Sequence, residues 1–134
     1  MNQALFDPAK STPSAMMRRI RQGLPAESFV QAAERLGVSQ EVLANKLGLV
    51  ARTLNRKRKA GEKLSAQESE RILRVARVWN QARNLFRDDD AIAEWLLRPC
   101  ASLGQESPLD LLDTDVGTAE VEGLIAGLAY GNFQ

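Results

Sequence analysis

The chain has 134 residues, 18 Lys plus Arg against 17 Asp plus Glu, no His and a single cysteine, Cys100. That length suits one domain or two small ones with a buried core. Without His there is no Ser-His-Asp triad, no Cys-His pair and no imidazole metal ligand, and one Cys excludes a disulfide framework or a Cys-rich zinc site.

No apolar run approaches bilayer length, and residues 16–24 carry arginines without the apolar stretch of a signal peptide. A soluble, cytoplasmic protein with no membrane contact is expected. The near-neutral total conceals a partition. Residues 1–63 hold 12 Lys plus Arg against 5 Asp plus Glu, whereas residues 64–134 hold 6 against 12. The first half suits nucleic acid; after Arg98 there are six carboxylates and no cation, which disfavours phosphate contacts there.

In chain order, residues 1–14 contain Pro8, Pro13 and mostly small or polar neighbours, and 1–24 read together as a flexible arm and lead-in. Helical spacing begins after Pro25. Phe29, Ala32, Ala33 and Leu36 recur at three and four residues before Gly37. Ser39 is placed to cap a second helix, with Val42, Leu43, Ala44 and Leu47 on one face and Gly48 at its end. A third helix is expected over about 50–59, stopping at Ala60-Gly61.

Ser65-Ala-Gln-Glu68 has the spacing of a capping box, which predicts the start of the longest helix. Its apolar stripe of Ile72, Val75, Ala76, Trp79, Ala82 and Phe86 predicts a rod of roughly 30 Å joining the basic and acidic halves. Asp88-Asp89-Asp90 reads as the cap of a helix that Pro99 stops, and Ser107-Pro108 as a short helix start. A last helix is expected over about 115–129. No stretch alternates in the manner of a strand, so the expected fold is all-α: a helix-turn-helix region over 25–63, joined by the long helix to a small helical region over 64–134.

The functional signal begins with Ala44, Gly48 and Leu54. They fall where a helix-turn-helix needs a close helix crossing, a left-handed turn residue and a core anchor. With Leu54 inward, Arg52, Arg56 and Lys59 share the opposite face, flanked by Thr53 and Asn55. Arg and Asn side chains can bond guanine and adenine edges, while Lys46, Lys57, Arg58 and Lys63 suit phosphates. Elsewhere Trp79 and Trp95 read as core, Asp88 to Asp90 as a cap, and Cys100 as a packed residue rather than a nucleophile. No catalytic or cofactor site is expected.

From Ile92 onward the chain resembles the Xre-type antitoxins that accompany RES-domain toxins. The matching segments are Trp95-Leu-Leu-Arg-Pro99, Leu103 to Leu112, Asp113-Thr-Asp-Val-Gly117, Val121-Glu122 and Tyr130-Gly131, with Gly23-Leu-Pro25 ahead of the helix-turn-helix. Gln105 departs from the pattern, standing where many relatives have Gly. The resemblance implies a cognate RES-domain toxin that attacks NAD or transfers ADP-ribose from it. It further implies neutralisation by direct complex and repression of the antitoxin's own operon at operator DNA. The residues alone support a basic DNA-reading half and an acidic protein-binding half; a stand-alone repressor is the other reading. A homodimer is expected because two half-sites demand twofold symmetry, with the long helix and the acidic half as its contact.

The toxin contact is expected at the C-terminal helix. A stripe of Val121, Leu124, Ile125 and Leu128 faces the chain's own core, leaving Gly123 and Gly127 on other faces at a cost to helix stability. Glu120 and the end formed by Tyr130, Gly131, Asn132 and Phe133 complete the expected toxin-binding set. On the family mechanism this end reaches the toxin's NAD pocket, and Glu120 and Glu122 face its basic residues.

Overall fold

The structure, a computed structural model, describes residues 4–131. Their regular structure is helical: 3-10 turns Ala4–Phe6 and Pro8–Lys10, then α1 (Pro13–Gln22), α2 (Glu27–Leu36), α3 (Gln40–Leu47), α4 (Ala51–Ala60), α5 (Ala66–Ala82) and α6 (Asp89–Leu97). Two more 3-10 turns, Ala101–Leu103 and Pro108–Leu111, lead into α7 (Asp115–Ala129). Isolated antiparallel bridges join Pro25 to Lys63 and Cys100 to Glu106.

Polar caps set most helix starts. The side chains of Thr12, Ser39, Ser65, Asp88 and Thr114 each accept a first-turn backbone N–H, and at α5 Glu68 reciprocates to complete the capping box. The Asp88 carboxylate is occupied in this way by the Ala91 N–H. Helices α2 and α4 begin without a side-chain cap, at Ala26 and Val50.

The long helix is not a rod between two bodies. Its residues Ile72, Leu73, Val75, Ala76, Val78, Trp79 and Ala82 are all buried, packed by α1, α2, α7 and the turn Ala4–Phe6. It also stops earlier than its stripe predicts. The 17 residues of α5 span about 25 Å at 1.5 Å each, and Phe86 lies in the following turn with its ring 5.9 Å from Trp95. Because α5 is covered by its own chain, its apolar faces are not available to a second copy.

The expected N-terminal arm is likewise corrected over its described residues. Leu5 and Phe6 are 1% and 2% exposed, and the Phe6 ring meets Trp79 edge-on at 5.4 Å. The Arg35 guanidinium lies over the Phe6 ring at 4.5 Å. Anchored by these contacts and by α1 on α5, residues 4–22 cover one side of the core. Burial of two large apolar side chains offsets the ordering of a Pro-flanked segment.

Two arginines of α5 tie the halves together. Arg71 Nη1 donates to the carbonyls of Leu47 and Gly48, holding the turn between α3 and α4. Arg74, 7% exposed, donates to Glu70 at 2.8 Å and to the Leu112 carbonyl at 3.0 Å, and lies 3.7 Å from Asp115.

Gln105 occupies a left-handed conformation, φ 70°, directly after Gly104 at φ 68°. For an L-residue this region costs about 1–2 kcal/mol, so the departure from Gly strains the turn before Ser107. Gln105→Gly should raise the unfolding free energy by about 0.5–1 kcal/mol, read from urea titration; an unchanged midpoint would show the turn to be unstrained.

Candidate nucleic-acid and partner surfaces

The helix-turn-helix geometry forms as the spacing requires. Leu43, Ala44, Leu47 and Leu54 are buried together, Leu49 is half-buried beside them, and Gly48 ends α3 at φ 70°. Its φ of 70° fixes the turn residue as glycine, and a Cβ there would also press on Arg71 Nη1 at 2.8 Å, the mobile end of the side chain that braces the turn. Val42 does not join this core; it is half-exposed beside Glu41, Asn45 and Arg52 on the groove between α3 and α4.

On the outer face of α4, Arg52, Asn55, Arg56 and Lys59 line one shallow surface. Among the described residues no carboxylate lies within ion-pair distance of Arg52, Lys59 or Lys63, and Arg56 has only an exposed contact to Glu62 at 3.9 Å. Such an exposed pair is weak and exchanges readily for another acceptor. Arg58 Nη2 donates to Asn55 Oδ1 at 3.2 Å and lies 3.9 Å from Glu27, while Thr53 is half-buried at the side of the face.

Lys46 and Lys57, expected as phosphate contacts, are engaged within the chain. Lys46 Nζ is 2.6 Å from Asp110, which also accepts from Ser107, so this cation clamps α3 to the turn Pro108–Leu111. Lys57 Nζ donates to Glu68 at 2.8 Å, bracing α4 against the capping box of α5. Both pairings join different elements, 64 residues apart for Lys46 and 11 for Lys57. Spacing along one helix carries no sign of them.

On α7, Val121, Ile125 and Thr118 are buried, whereas Leu124 is half-buried and Leu128 is 37% exposed, so the fully buried part of the inward stripe is narrower than its spacing suggests. Glu122, expected to face a partner, is engaged within the chain: its Oε2 accepts from Arg77 at 2.8 Å and Gln81 at 2.9 Å. The outer face carries Val116 and Tyr130, each 78% exposed, with Ala119, Glu120, Gly123 and Ala126 between them. A Cβ added at Gly123 or Gly127 would meet nothing within 4 Å, so neither glycine is required by the chain's own packing. Gly131 ends this surface in a left-handed turn; the expected contacts Asn132 and Phe133 lie outside the described residues.

Two family models match the chain in series. The Antitoxin Xre-like helix-turn-helix domain matches residues 15–77, and the Antitoxin Xre/MbcA/ParS C-terminal toxin-binding domain matches residues 81–131. A Sphingobium protein named Prs ADP-ribosylating antitoxin is 30% identical over 92% of this chain and 84% of its own length. The chain belongs to the Xre family of antitoxins.

Relatives named Antitoxin Xre include one from Yersinia enterocolitica, 40% identical over 64% of this chain and 59% of its own length, and one from Pseudomonas putida, 29% identical over 96% and 80%. Membership makes this antitoxin a non-enzymatic regulator with a toxin as partner. Among its described residues no helix is long and apolar enough to cross a membrane. The seam between its two matched domains falls at the end of α5, so the helix that carries Arg71 and Arg74 serves both.

The two clamps of this antitoxin should make it lose stability in acid. Partial burial alone would raise the pKa of Glu68, but hydrogen bonds from Lys57 and the Ser65 backbone outweigh it and bring it below 4.5. At Asp110 burial is likewise outweighed, by Lys46 and Ser107, and its pKa falls below 3.8. Carboxylates with depressed folded pKa values stabilise fully above their unfolded values and lose that contribution as pH falls through the folded ones. Urea midpoints should therefore drop below about pH 4.5, and Lys57→Met should flatten the drop. An identical slope in the variant would show that Glu68 does not contribute.

Proposed function

We propose that this antitoxin neutralises a cognate RES-domain toxin, one that consumes NAD or transfers ADP-ribose, by covering its active site, and that it represses its own operon at operator DNA as a homodimer. The observation that supports the protein-binding part is the outer face of α7, where Gly123 and Gly127 leave backbone accessible between exposed Val116 and Tyr130. Close backbone approach by a partner gives interior glycines a use that offsets their unfavourable helix propensity, about 1 kcal/mol each. Glu120, Tyr130, Gly131, Asn132 and Phe133 extend the contact toward the toxin's NAD pocket, where an aromatic anchor suits a concave site.

The DNA part is supported by the Arg52, Asn55, Arg56 and Lys59 face; Arg58 and Lys63 line a separate surface with Pro25, Glu27 and Gly61. Thr53 stands at the side of the first face. Lys46 and Lys57 are engaged by Asp110 and Glu68 in the free chain and would have to leave them to reach a phosphate. The homodimer is required by paired half-sites, and with α5 covered its contact lies outside the long helix.

Co-expression with a RES-domain gene found adjoining this one tests the protein-binding part. Deleting residues 130–134 should restore toxicity and loss of cellular NAD at equal antitoxin abundance, while operator binding persists. Full protection by the truncated chain would move inhibition to another surface.

A further inference from the structure

We infer that Val50 reads a thymine 5-methyl group in the operator; the inference rests on the DNA-binding reading above and deepens it. Val50 stands at the tip of α4, immediately before its first residue, and is 63% exposed. Its neighbours behave differently. Leu49 is half-buried against the core and Leu54 is 1% exposed, so the segment places two leucines inward and leaves the valine outside.

The position makes the residue type conspicuous. Valine is among the poorest residues at a helix N-cap, where Ser, Thr, Asp or Asn would satisfy a first-turn N–H. Five other helices of this chain use Thr, Ser or Asp there, and α4 has no side-chain cap at all. An exposed β-branched apolar side chain at this point thus gives up both capping and solvation. Next along the chain Arg52, Asn55, Arg56 and Lys59 follow on the outer face of α4, and Glu41, Asn45, Arg52 and half-exposed Val42 share the groove with α3.

A cationic helix tip bearing an exposed valine matches the major groove, whose base edges offer acceptors to Arg and whose apolar feature is the thymine methyl. In a helix-turn-helix the N-terminal residues of this helix are the ones that approach base edges. An apolar protein surface, by contrast, would have to bury the adjacent guanidinium groups without partners. Valine therefore selects thymine by contact with its methyl, while the arginines supply hydrogen bonds.

The test uses the duplex upstream of the antitoxin's own gene, prepared with thymine or with deoxyuridine throughout, and compares wild type with Val50→Ser. Wild type should bind the deoxyuridine duplex at least about fourfold more weakly, the factor that burying one methyl-sized group gives. Val50→Ser should bind the thymine duplex more weakly but show a thymine-to-deoxyuridine ratio smaller by that factor, since other methyl contacts and duplex stiffness affect both proteins alike. Its melting temperature should equal or exceed the wild-type value, because serine supplies the missing cap. Val50→Thr, which keeps one methyl, should retain part of the discrimination. Equal ratios for wild type and Val50→Ser would overturn the inference, as would a Val50→Ser protein whose only change is in oligomeric state. If wild type binds neither duplex better than random DNA, the DNA-binding reading itself fails and Val50's role falls with it.

Discussion

Replacing Gly123 with Arg is expected to leave the antitoxin folded and to abolish neutralisation of its toxin. The side chain would emerge into open space, since a Cβ at this position meets nothing within 4 Å. Helix propensity favours the change by about 0.5–1 kcal/mol, so the variant should melt at or above the wild-type temperature. Against a partner packed on this face, the same arginine would be buried without a counter-charge, at a cost of about 3–5 kcal/mol, roughly a hundredfold or more in affinity. Growth on co-expression and pull-down of the toxin measure the effect, with thermal melting as the control for folding. A protective, toxin-binding Gly123→Arg protein would take the outer face of α7 out of the interface. Gly117 supplies the contrast: a Cβ there would collide with the Leu111 carbonyl oxygen, so Gly117→Ala should destabilise by about 1–3 kcal/mol.

That contrast also marks what can be read from the chain alone. Gly117 and Gly123 lie in the same helix and look alike in sequence; what separates them is the Leu111 carbonyl, placed by the preceding turn. Local signals translated directly. The capping box at Ser65 and Glu68, the Asp88 cap, and the Ala44, Gly48 and Leu54 spacing depend on neighbours within a few residues, and each forms as expected. Contacts between distant residues did not announce themselves. Phe6 sits in a Pro-flanked stretch with no periodicity, yet its ring packs on Trp79. Lys46 and Lys57 share the composition of a DNA-binding patch, and only the folded chain shows Asp110 and Glu68 holding them. The end of α5 at Ala82 was obscured because Leu85 and Phe86 continue its apolar pattern while packing from a turn.

The double substitution of Arg52 and Arg56 by Ala should have the opposite selectivity to Gly123→Arg, removing operator recognition while leaving toxin binding intact. Each bidentate arginine contact to a base is worth about 1–3 kcal/mol, and both guanidinium groups lie on an exposed face where truncation leaves no cavity. The loss should fall mainly on the specific duplex, because base contacts distinguish sequences whereas phosphate contacts do not. Single changes to the surrounding lysines then sort themselves by their partners. Lys63→Ala should weaken binding to all duplexes and lower the log-log salt slope by about 0.9. Lys46→Ala should leave that slope unchanged and instead reduce stability, since its ammonium is engaged 2.6 Å from Asp110. Fluorescence anisotropy across a salt series, with urea titration in parallel, measures both quantities. Wild-type operator affinity in the Arg52/Arg56 double variant would exclude α4 from the DNA interface, and a reduced salt slope in Lys46→Ala would show that this lysine leaves Asp110 for a phosphate on binding.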